Sequence, residues 1–429
     1  SGIPGTVDGM FKIHKKYGSL PIKKLISPAI DLAEKGFILS KFQAEYFNSN
    51  RDKFSKNPET KKVFVKENLW KKGDLFFQED LAKTLKRISK FGRDEFYSGE
   101  TAKKIINYFQ KNGGIFTKKD FMSYQSSFKP SLCSTFFDFK VCSMSLPSSG
   151  GIVLSQALNI LENFNLTSYE HNSLEYNRLL TEAMRFSFAD RSEFLGDGDF
   201  NNFDISRLTS KKYAKSLSTI IKNSEGKILI NTPGEYLNES EETTHFSIID
   251  STGNAVSNTY TLNTAYGSGI IAKGTGILMN NEMDDFSIKP GFPNFFGLVG
   301  SEANKVESKK APLSSMTPTI VFQEGVPYLI TGSPGGSTII STVLQLLLNI
   351  LIFDMEIDEA SKAKRIHHQW KPDILFIEKD KNIKNIDMIG FDTVYRERIG
   401  ESHSILLNEE NYEGFADLRR PDGRAISVH

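Results

Sequence analysis

The chain has 429 residues, of which 39% are hydrophobic and 24% charged, with a formal net charge of +1. This composition is typical of a globular protein, built as one large layered α/β domain or as about two or three average domains. The absence of a basic excess argues against a nucleic-acid-binding surface, because nothing is available to neutralise phosphates. The longest apolar run, Thr338 to Phe353, is short and interrupted by polar residues, so it predicts a buried helix and not a membrane span.

The first part of the chain, to about residue 127, carries mainly helical signals. Apolar residues recur every three or four positions, which predicts helices at Val7 to Tyr17, Pro28 to Gly36, Glu79 to Phe91 and Ala102 to Lys111. The stretch Thr117 to Asp120 has the pattern of a capping box for another short helix. No cluster of catalytic residue types is found here, and we interpret this part as packing scaffold.

Strand signals return from Ser131 to Met144, and this stretch contains both cysteines, Cys133 and Cys142. Strands paired about Phe137 would place the two cysteines opposite each other. The sequence leaves two alternatives open, a disulfide or two half-buried thiols.

A Ser/Gly-rich turn, Pro147 to Gly151, precedes a helix predicted from Ile152 to Phe164. The lysine of a phosphate-binding loop is missing, so we interpret the turn as structural. A long amphipathic helix follows at Tyr176 to Phe194. Residues 224 to 242 are rich in Asn, Glu, Ser and Gly, which predicts an exposed loop.

The most informative stretch begins at Thr243. Two strands, Thr243 to Ile249 and Ala255 to Asn263, flank a turn-forming sequence and predict a hairpin folded about Thr252. This register places Thr261 opposite Thr243, with Asn263 just beyond.

Two later patterns are weaker. The glycines Gly267 and Gly269 match a dinucleotide-binding pattern, but Gly274 and Gly276 interrupt the helix that would bind a pyrophosphate. The adjacent His367 and His368 lack a third metal ligand at suitable spacing, so we expect them to be structural.

Five segments together resemble the γ-glutamyltransferase (glutathione hydrolase) family of N-terminal-nucleophile hydrolases, in that family's order and spacing. These segments are Thr243–Ser247, Thr259–Thr264, Leu278–Phe286, Pro312–Thr319 and Gly332–Ser337. The resemblance covers essentially the whole chain. It implies an αββα four-layer sandwich of α/β class, with residues 1–242 belonging to a large subunit and residues 243–429 forming a small one.

The resemblance also implies a self-cleaving threonine enzyme that needs no metal or organic cofactor. The cut would fall between Glu242 and Thr243, and the free α-amine of Thr243, with a reference pKa of about 7.7 to 8.0, would activate its own hydroxyl. Thr261 would orient that hydroxyl. Gly335 and Gly336 precede a predicted helix, and their amides would form the oxyanion hole.

The substrate implied by the resemblance is glutathione or another γ-glutamyl compound, with amino acids or peptides as acceptors. Its α-ammonium would contact Asn263, Glu282 and Asp285. Its α-carboxylate would contact Ser314 and Ser315. The family's carboxylate-binding arginine lies in a motif upstream of Ser1, so no arginine of this chain is assigned that role.

One departure from the family's pattern lies in the predicted lid, Pro290 to Gly300. Many bacterial members have tyrosine where this chain has Phe296, and its hydroxyl bonds the asparagine that corresponds to Asn263. Phenylalanine lacks that hydroxyl, so we predict a looser lid and easier entry of bulky substrates or water.

Other expectations follow from the resemblance alone. The two subunits would form a heterodimer cut from one precursor, the chain would lack the N-terminal part of the large subunit, and the location would be periplasmic or secreted. Two alternatives stay open. One is a same-fold enzyme with another substrate, such as an amide acylase or a poly-γ-glutamate-processing enzyme; the other is an uncleaved, non-catalytic amino-acid-binding homologue.

Overall fold

The computed structural model describes residues 1–224, 243–379, 390–409 and 411–428. The chain forms two compact units, one of Ser1–Phe128 with Thr264–Glu282 and the other of Lys129–Asn263 with Met283–His429. Glu242 and, apart from Ser224, the loop predicted at 224–242 lie outside the described residues. The predicted boundary between the subunits, at Glu242 and Thr243, is a site of chain cleavage. A division into compact units does not test it, so it stays a prediction.

The first unit is mainly helical, as predicted. Its helices are α1 (Thr6–Tyr17), α2 (Ile22–Lys35), α3 (Lys41–Ser49), α4 (Arg51–Ser55), α5 (Pro58–Phe64), α6 (Glu79–Phe91), α7 (Arg93–Tyr97), α8 (Glu100–Lys111) and α9 (Lys118–Ser123). The short strands β1 (Phe37–Ile38) and β2 (Leu75–Phe76) pair antiparallel. Helix α2 begins six residues before the predicted start, with Pro28 inside it. The capping box at Thr117 and Asp120 is confirmed.

The segment Thr264–Glu282 is built into the first unit by polar contacts. Lys53 Nζ donates to the carbonyl oxygen of Gly267 (2.9 Å), and Thr60 Oγ1 donates to that of Gly269 (2.9 Å). No helix begins directly after Gly269, whereas a dinucleotide-binding turn requires one there.

The second unit combines helices with most of the strands. Its elements up to residue 260 are β3 (Leu132–Phe136), β4 (Phe139–Ser143), α10 (Gly150–Leu161), α11 (Leu174–Phe194), α12 (Lys211–Lys222), β5 (Thr244–Ile249) and β6 (Ala255–Tyr260). Those that follow are β7 (Thr319–Gln323), β8 (Val326–Thr331), α13 (Thr338–Leu351), α14 (Ile357–Lys362), β9 (Ile366–His367), β10 (Ile374–Glu378), β11 (Asp392–Arg396), β12 (His403–Asn408) and β13 (Asn411–Ala416).

The main sheet of the second unit has the strand order β13-β12-β8-β7-β4-β3. On one face, Val321, Leu329 and Leu406 join a buried apolar core with residues of α10, α11 and α13. The opposite face receives the β5–β6 hairpin, which contacts β12 and β8. A smaller sheet has the order β11-β10-β9. Within this unit, helices, main sheet and hairpin therefore form successive layers, and the expected α/β class is confirmed.

Three local predictions are settled by the structure. A disulfide joins Cys133 to Cys142, which lie directly opposite each other on β3 and β4. Helix α13 is buried along nearly its whole length, as the apolar run predicted. Among the described residues, no helix is both long and apolar enough to span a bilayer.

Candidate active site

The predicted hairpin register is confirmed. Thr244 pairs with Tyr260 across β5 and β6, so Thr243 and Thr261 lie opposite each other at the open end of the hairpin. Thr243 Oγ1 donates to Thr261 Oγ1 at 3.4 Å, and the same Thr261 oxygen accepts the backbone N–H of Asn263 at 2.9 Å. Asn263 is 2% exposed and has a positive φ of 77°, a conformation that asparagine tolerates better than most residues. The Thr261 hydroxyl therefore accepts hydrogen bonds from both Thr243 and Asn263.

The hairpin faces the main sheet with polar side chains. Phe246 and Ile248 are 43% and 51% exposed, whereas His245 is buried. His245 Nδ1 contacts Thr259 Oγ1 (2.9 Å) and its Nε2 contacts Ser247 Oγ (3.2 Å). Burial, with a smaller contribution from His403, lowers the pKa of His245 to about 3, so this imidazole is neutral near pH 7.

Contacts from this polar face hold the hairpin against the turn that leads to the predicted oxyanion glycines. Ser257 Oγ donates to the carbonyl oxygen of Thr331 at 2.7 Å. A Cβ added to Gly332 would lie 2.2 Å from Cε1 of His245. Only glycine permits this approach, which couples the strand after Thr243 to the glycine turn.

Gly335 and Gly336 lie just before α13, as predicted. Their φ values are +130° and +55°, in the region that favours glycine. In the described part of the chain neither N–H donates to a protein acceptor, while the Gly335 carbonyl accepts from Thr338 N (3.0 Å). Two available amides at the positive end of a buried helix are suited to stabilising an oxyanion.

Phe296 lies directly against this turn. It is 4% exposed, and a Cβ added to Gly336 would come within 2.6 Å of its ring. Gln369 Nε2 donates to the Phe296 carbonyl (2.9 Å), and Asn294 Oδ1 accepts the Phe296 N–H (3.0 Å). The ring of Phe296, the predicted lid residue, therefore lies against Gly336. The predicted ease of substrate entry stays a prediction.

The predicted carboxylate-binding serines are held by the Ser/Gly-rich turn before α10. The N–H and the Oγ of Ser149 both donate to the carbonyl of Ser314, each at 2.8 Å. Ser148 Oγ donates to the Met316 carbonyl at 2.7 Å. A Cβ on Gly150 would lie 2.4 Å from that carbonyl oxygen, so this glycine permits the close approach. The turn is structural, and it fixes the backbone at Ser314 and Met316.

Arg191 is a residue that our sequence reasoning missed. It extends from α11, is 4% exposed, and donates to Ser149 Oγ through Nε (2.9 Å) and to Ser315 Oγ through Nη2 (3.4 Å). Burial lowers the pKa of Arg191 to about 10, and the charge of Asp285 opposes that shift. The available signal was an arginine three residues after Phe188, on the buried stripe of the predicted helix.

Glu282 and Asp285 lie in one turn of 3-10 helix, the tight turn that their predicted role requires. Glu282 is the last residue of the first unit and Asp285 belongs to the second. The Glu282 N–H donates to Asn280 Oδ1 at 3.2 Å. Burial raises the pKa of the Glu282 carboxyl to about 7, so its charge changes near neutral pH.

The histidine pair behaves as a structural element. Both rings are fully buried, His367 Nδ1 contacts Ser341 Oγ (2.9 Å), and His368 Nδ1 accepts the Trp370 N–H (3.0 Å). Across the described ranges, no group of three or more His, Cys, Asp or Glu side chains is arranged to hold a metal ion.

Comparison with known proteins identifies the family of this chain. Residues 1–427 match the family described as Gamma-glutamyltranspeptidase. The chain belongs to this family. It is 44% identical to the glutathione hydrolase proenzyme of Escherichia coli strain K12, over 98% of this chain and 74% of that protein. It is 42% identical to the glutathione hydrolase proenzyme of Pseudomonas aeruginosa, over 87% of this chain and 66% of that protein.

The chain therefore spans about two thirds to three quarters of these relatives' length. A solved structure, cephalosporin acylase from Bacillus halodurans, matches with a TM-score of 0.84 at 22% identity, covering 97% of this chain and 77% of that one. At this identity the match shows the fold alone, and it supports the expected layered α/β fold.

Most of the residues predicted for this γ-glutamyltranspeptidase fall into two groups in the second unit. The hairpin group contains Thr243, Thr261 and Asn263, and it is packed on the turn that leads to Gly335 and Gly336. The second group contains Ser314, Ser315 and Asp285, together with the unpredicted Ser149 and Arg191.

Proposed function

We propose that the chain is a γ-glutamyltransferase and glutathione hydrolase that matures by cutting itself between Glu242 and Thr243. The observation that carries this proposal is the Thr243–Thr261 hydroxyl pair at the end of a hairpin packed on Thr331 and Gly332, which lead to the Gly335–Gly336 turn. A hydroxyl that can reach preorganised amide donors is suited to acyl transfer.

Maturation begins with the Thr243 hydroxyl. Its oxygen attacks the Glu242 carbonyl carbon, the peptide nitrogen leaves as the α-amine of Thr243, and an ester joins the two residues. Water hydrolyses that ester, which releases the Glu242 carboxylate and restores the hydroxyl. Before the attack, the hydrogen bond that Thr243 Oγ1 donates to Thr261 Oγ1 orients the Thr243 hydroxyl.

Turnover uses the same oxygen with the new α-amine as base. An amine with a pKa of about 7.7 to 8.0 is partly neutral near pH 7 and takes the hydroxyl proton as Oγ1 attacks the γ-carbonyl of the donor. The N–H groups of Gly335 and Gly336 stabilise the oxyanion. The amine then returns the proton to the leaving nitrogen, and water, an amino acid or a peptide resolves the γ-glutamyl ester.

Recognition of the donor's head group falls to the polar residues around this centre. Asn263, Glu282 and Asp285 accept hydrogen bonds from the α-ammonium. Ser314 and Ser315 donate to the α-carboxylate. The charges of Asp285 and the neighbouring Arg191 favour such a zwitterion over the apolar acyl group of an acylase substrate.

Two further inferences accompany this function. The two products of the cut remain together as a heterodimer. The location is periplasmic or secreted, and the Cys133–Cys142 disulfide supports it because disulfides persist mainly in oxidising compartments.

The test compares the purified wild-type protein with Thr243→Ala by intact mass under denaturing conditions, N-terminal sequencing, and turnover of γ-glutamyl-p-nitroanilide. We expect a wild-type fragment that begins Thr-Thr-His-Phe-Ser, no cut in Thr243→Ala, and at least a ~10⁴-fold lower rate in that variant. Thr243→Ser, which keeps a hydroxyl, should still be cut. An uncut wild type without turnover would overturn the proposal and favour a binding homologue, whereas a cut wild type that ignores γ-glutamyl donors would favour another amide substrate.

A further inference from the structure

Arg191 lies buried at the centre of the second group of site residues. Its Nε–H donates to Ser149 Oγ, the hydroxyl that in turn donates to the Ser314 carbonyl. Its Nη2 donates to Ser315 Oγ. One guanidinium therefore fixes both the Ser/Gly-rich turn and the serine pair, because its planar fork directs its hydrogen bonds rigidly.

The charge of this guanidinium is only partly balanced. Within the described part of the chain, its hydrogen bonds go to the two neutral hydroxyls, and no ion pair involves it. Asp285 lies near enough to act on it electrostatically. Burying a cation without a direct carboxylate partner is costly, so such a residue is retained where an anion arrives during function.

The position of the Arg191 charge suits the α-carboxylate of the proposed donor. Ser315 Oγ accepts from Arg191, which leaves the Ser315 hydroxyl hydrogen directed elsewhere. A carboxylate bound to the serine pair would accept that hydrogen and lie close to a positive charge. The Asp285 carboxylate on the other side would attract an ammonium, so the charge order matches that of an α-amino acid head group.

We propose that Arg191 is the positioning residue that makes this site selective for donors with a free α-carboxylate, by orienting Ser315 and placing a buried positive charge beside it. This inference rests on the proposed function. It assigns the selectivity to a residue of α11 that lies outside the five segments by which the family is recognised.

The experiment compares two donors, γ-glutamyl-p-nitroanilide and its α-carboxamide, on matured wild-type protein and on Arg191→Gln. Wild type should prefer the free carboxylate. Arg191→Gln should raise KM for that donor about 10- to 100-fold, the loss expected for a hydrogen bond to a charged group. Its kcat and its kinetics on the carboxamide should change little, so that the preference between donors collapses. Arg191→Lys keeps the charge without the fork and should retain part of the preference.

Equal losses on both donors, or an unchanged preference, would overturn the proposal. If Arg191→Gln does not mature, Ser149→Ala tests the same idea, since it removes one acceptor and leaves the arginine. This variant should weaken the preference, and an unchanged preference would again overturn the proposal.

Arg178→Gln is a matched control on the same helix, because its guanidinium donates to the Ser224 carbonyl at 3.5 Å and not to the proposed head-group residues. It should keep the wild-type preference. A matching collapse there would reveal a general charge effect and contradict the role of Arg191. A wild type that turns over neither donor would refute the proposed function itself, whereas active wild type with an unaltered Arg191→Gln preference would refute this inference alone.

Discussion

The two groups of site residues in the second unit are built from opposite kinds of chemistry. The proposed reaction group, Thr243 and Thr261 with the Gly335–Gly336 turn, consists of neutral hydroxyls and backbone amides, and the neighbouring His245 has a pKa lowered to about 3. The proposed head-group region, formed by Ser314, Ser315 and Asp285, contains the buried guanidinium of Arg191 near the carboxylate of Asp285.

This difference follows from the stage of the reaction at which each region meets a charge on the substrate. In the reaction group the oxyanion exists only briefly, so fixed dipoles are sufficient and a permanent buried cation is not needed. In the head-group region the ligand carries both charges from the start, and opposite charges in the protein must replace its lost water. The comparison predicts that variants of the first group lower kcat and that variants of the second raise KM.

After Thr243→Ala, Gly336→Ala should have the largest effect. The added Cβ would clash with the Phe296 ring at 2.6 Å and would occupy a backbone position with φ of +55°. Displacing one oxyanion donor should lower kcat on the order of 10²- to 10³-fold while changing KM little. Steady-state kinetics with γ-glutamyl-p-nitroanilide measure both constants.

Gly325→Ala is the matched control for that substitution. Gly325 has φ of +85° in the β7–β8 turn, and a Cβ there meets nothing within 4 Å. It carries the backbone strain without the clash, so kcat should stay near that of wild type. Adding Phe296→Ala to Gly336→Ala should recover part of the activity if the ring causes the displacement. Wild-type kcat in Gly336→Ala would remove this glycine from the oxyanion hole.

Thr261→Val should have an intermediate effect. Valine keeps the shape of threonine and removes the oxygen that accepts from Thr243 Oγ1 and from the Asn263 N–H. Leaving these two donors without their acceptor costs about 1 to 3 kcal/mol, which predicts a kcat about 5- to 100-fold lower. Self-cleavage, followed by the intact mass over time, should also be slower. Thr261→Ser restores the hydroxyl and should recover most of both rates. If Thr261→Val matured and turned over normally, the orienting role would be wrong.

The same comparison explains how much the sequence predicts. The hairpin register and the glycine turn follow from local patterns, because turn residues fix the pairing and glycines mark backbone positions that other residues disfavour. Local patterns do not predict which face of the hairpin is turned toward the main sheet. Phe246 and Ile248 are exposed while Ser247 faces inward, since Ser247 Oγ donates to the His403 carbonyl (2.9 Å), a contact 156 residues away in sequence.

Arg191 could not be assigned for a related reason. Its function depends on Ser149 and Ser315, which lie 42 and 124 residues away and come together only in the folded unit. The disulfide shows the opposite case. Cys133 and Cys142 are close in sequence, so the sequence placed them opposite each other, yet it could not decide whether the bond forms.

The pH dependence of KM should show the smallest effect, and it separates the two kinds of chemistry without changing the fold. Burial raises the pKa of Glu282 to about 7, so this carboxylate, which we propose attracts the donor's ammonium, gains a proton as the pH falls. If only the ionised form binds, KM should rise about five- to tenfold between pH 8 and pH 6. Glu282→Gln should raise KM at pH 8 and flatten this dependence, whereas Glu302→Gln, whose side chain is 74% exposed, should keep it. A profile of KM that is the same in wild type and Glu282→Gln would show that this carboxylate does not bind the ammonium.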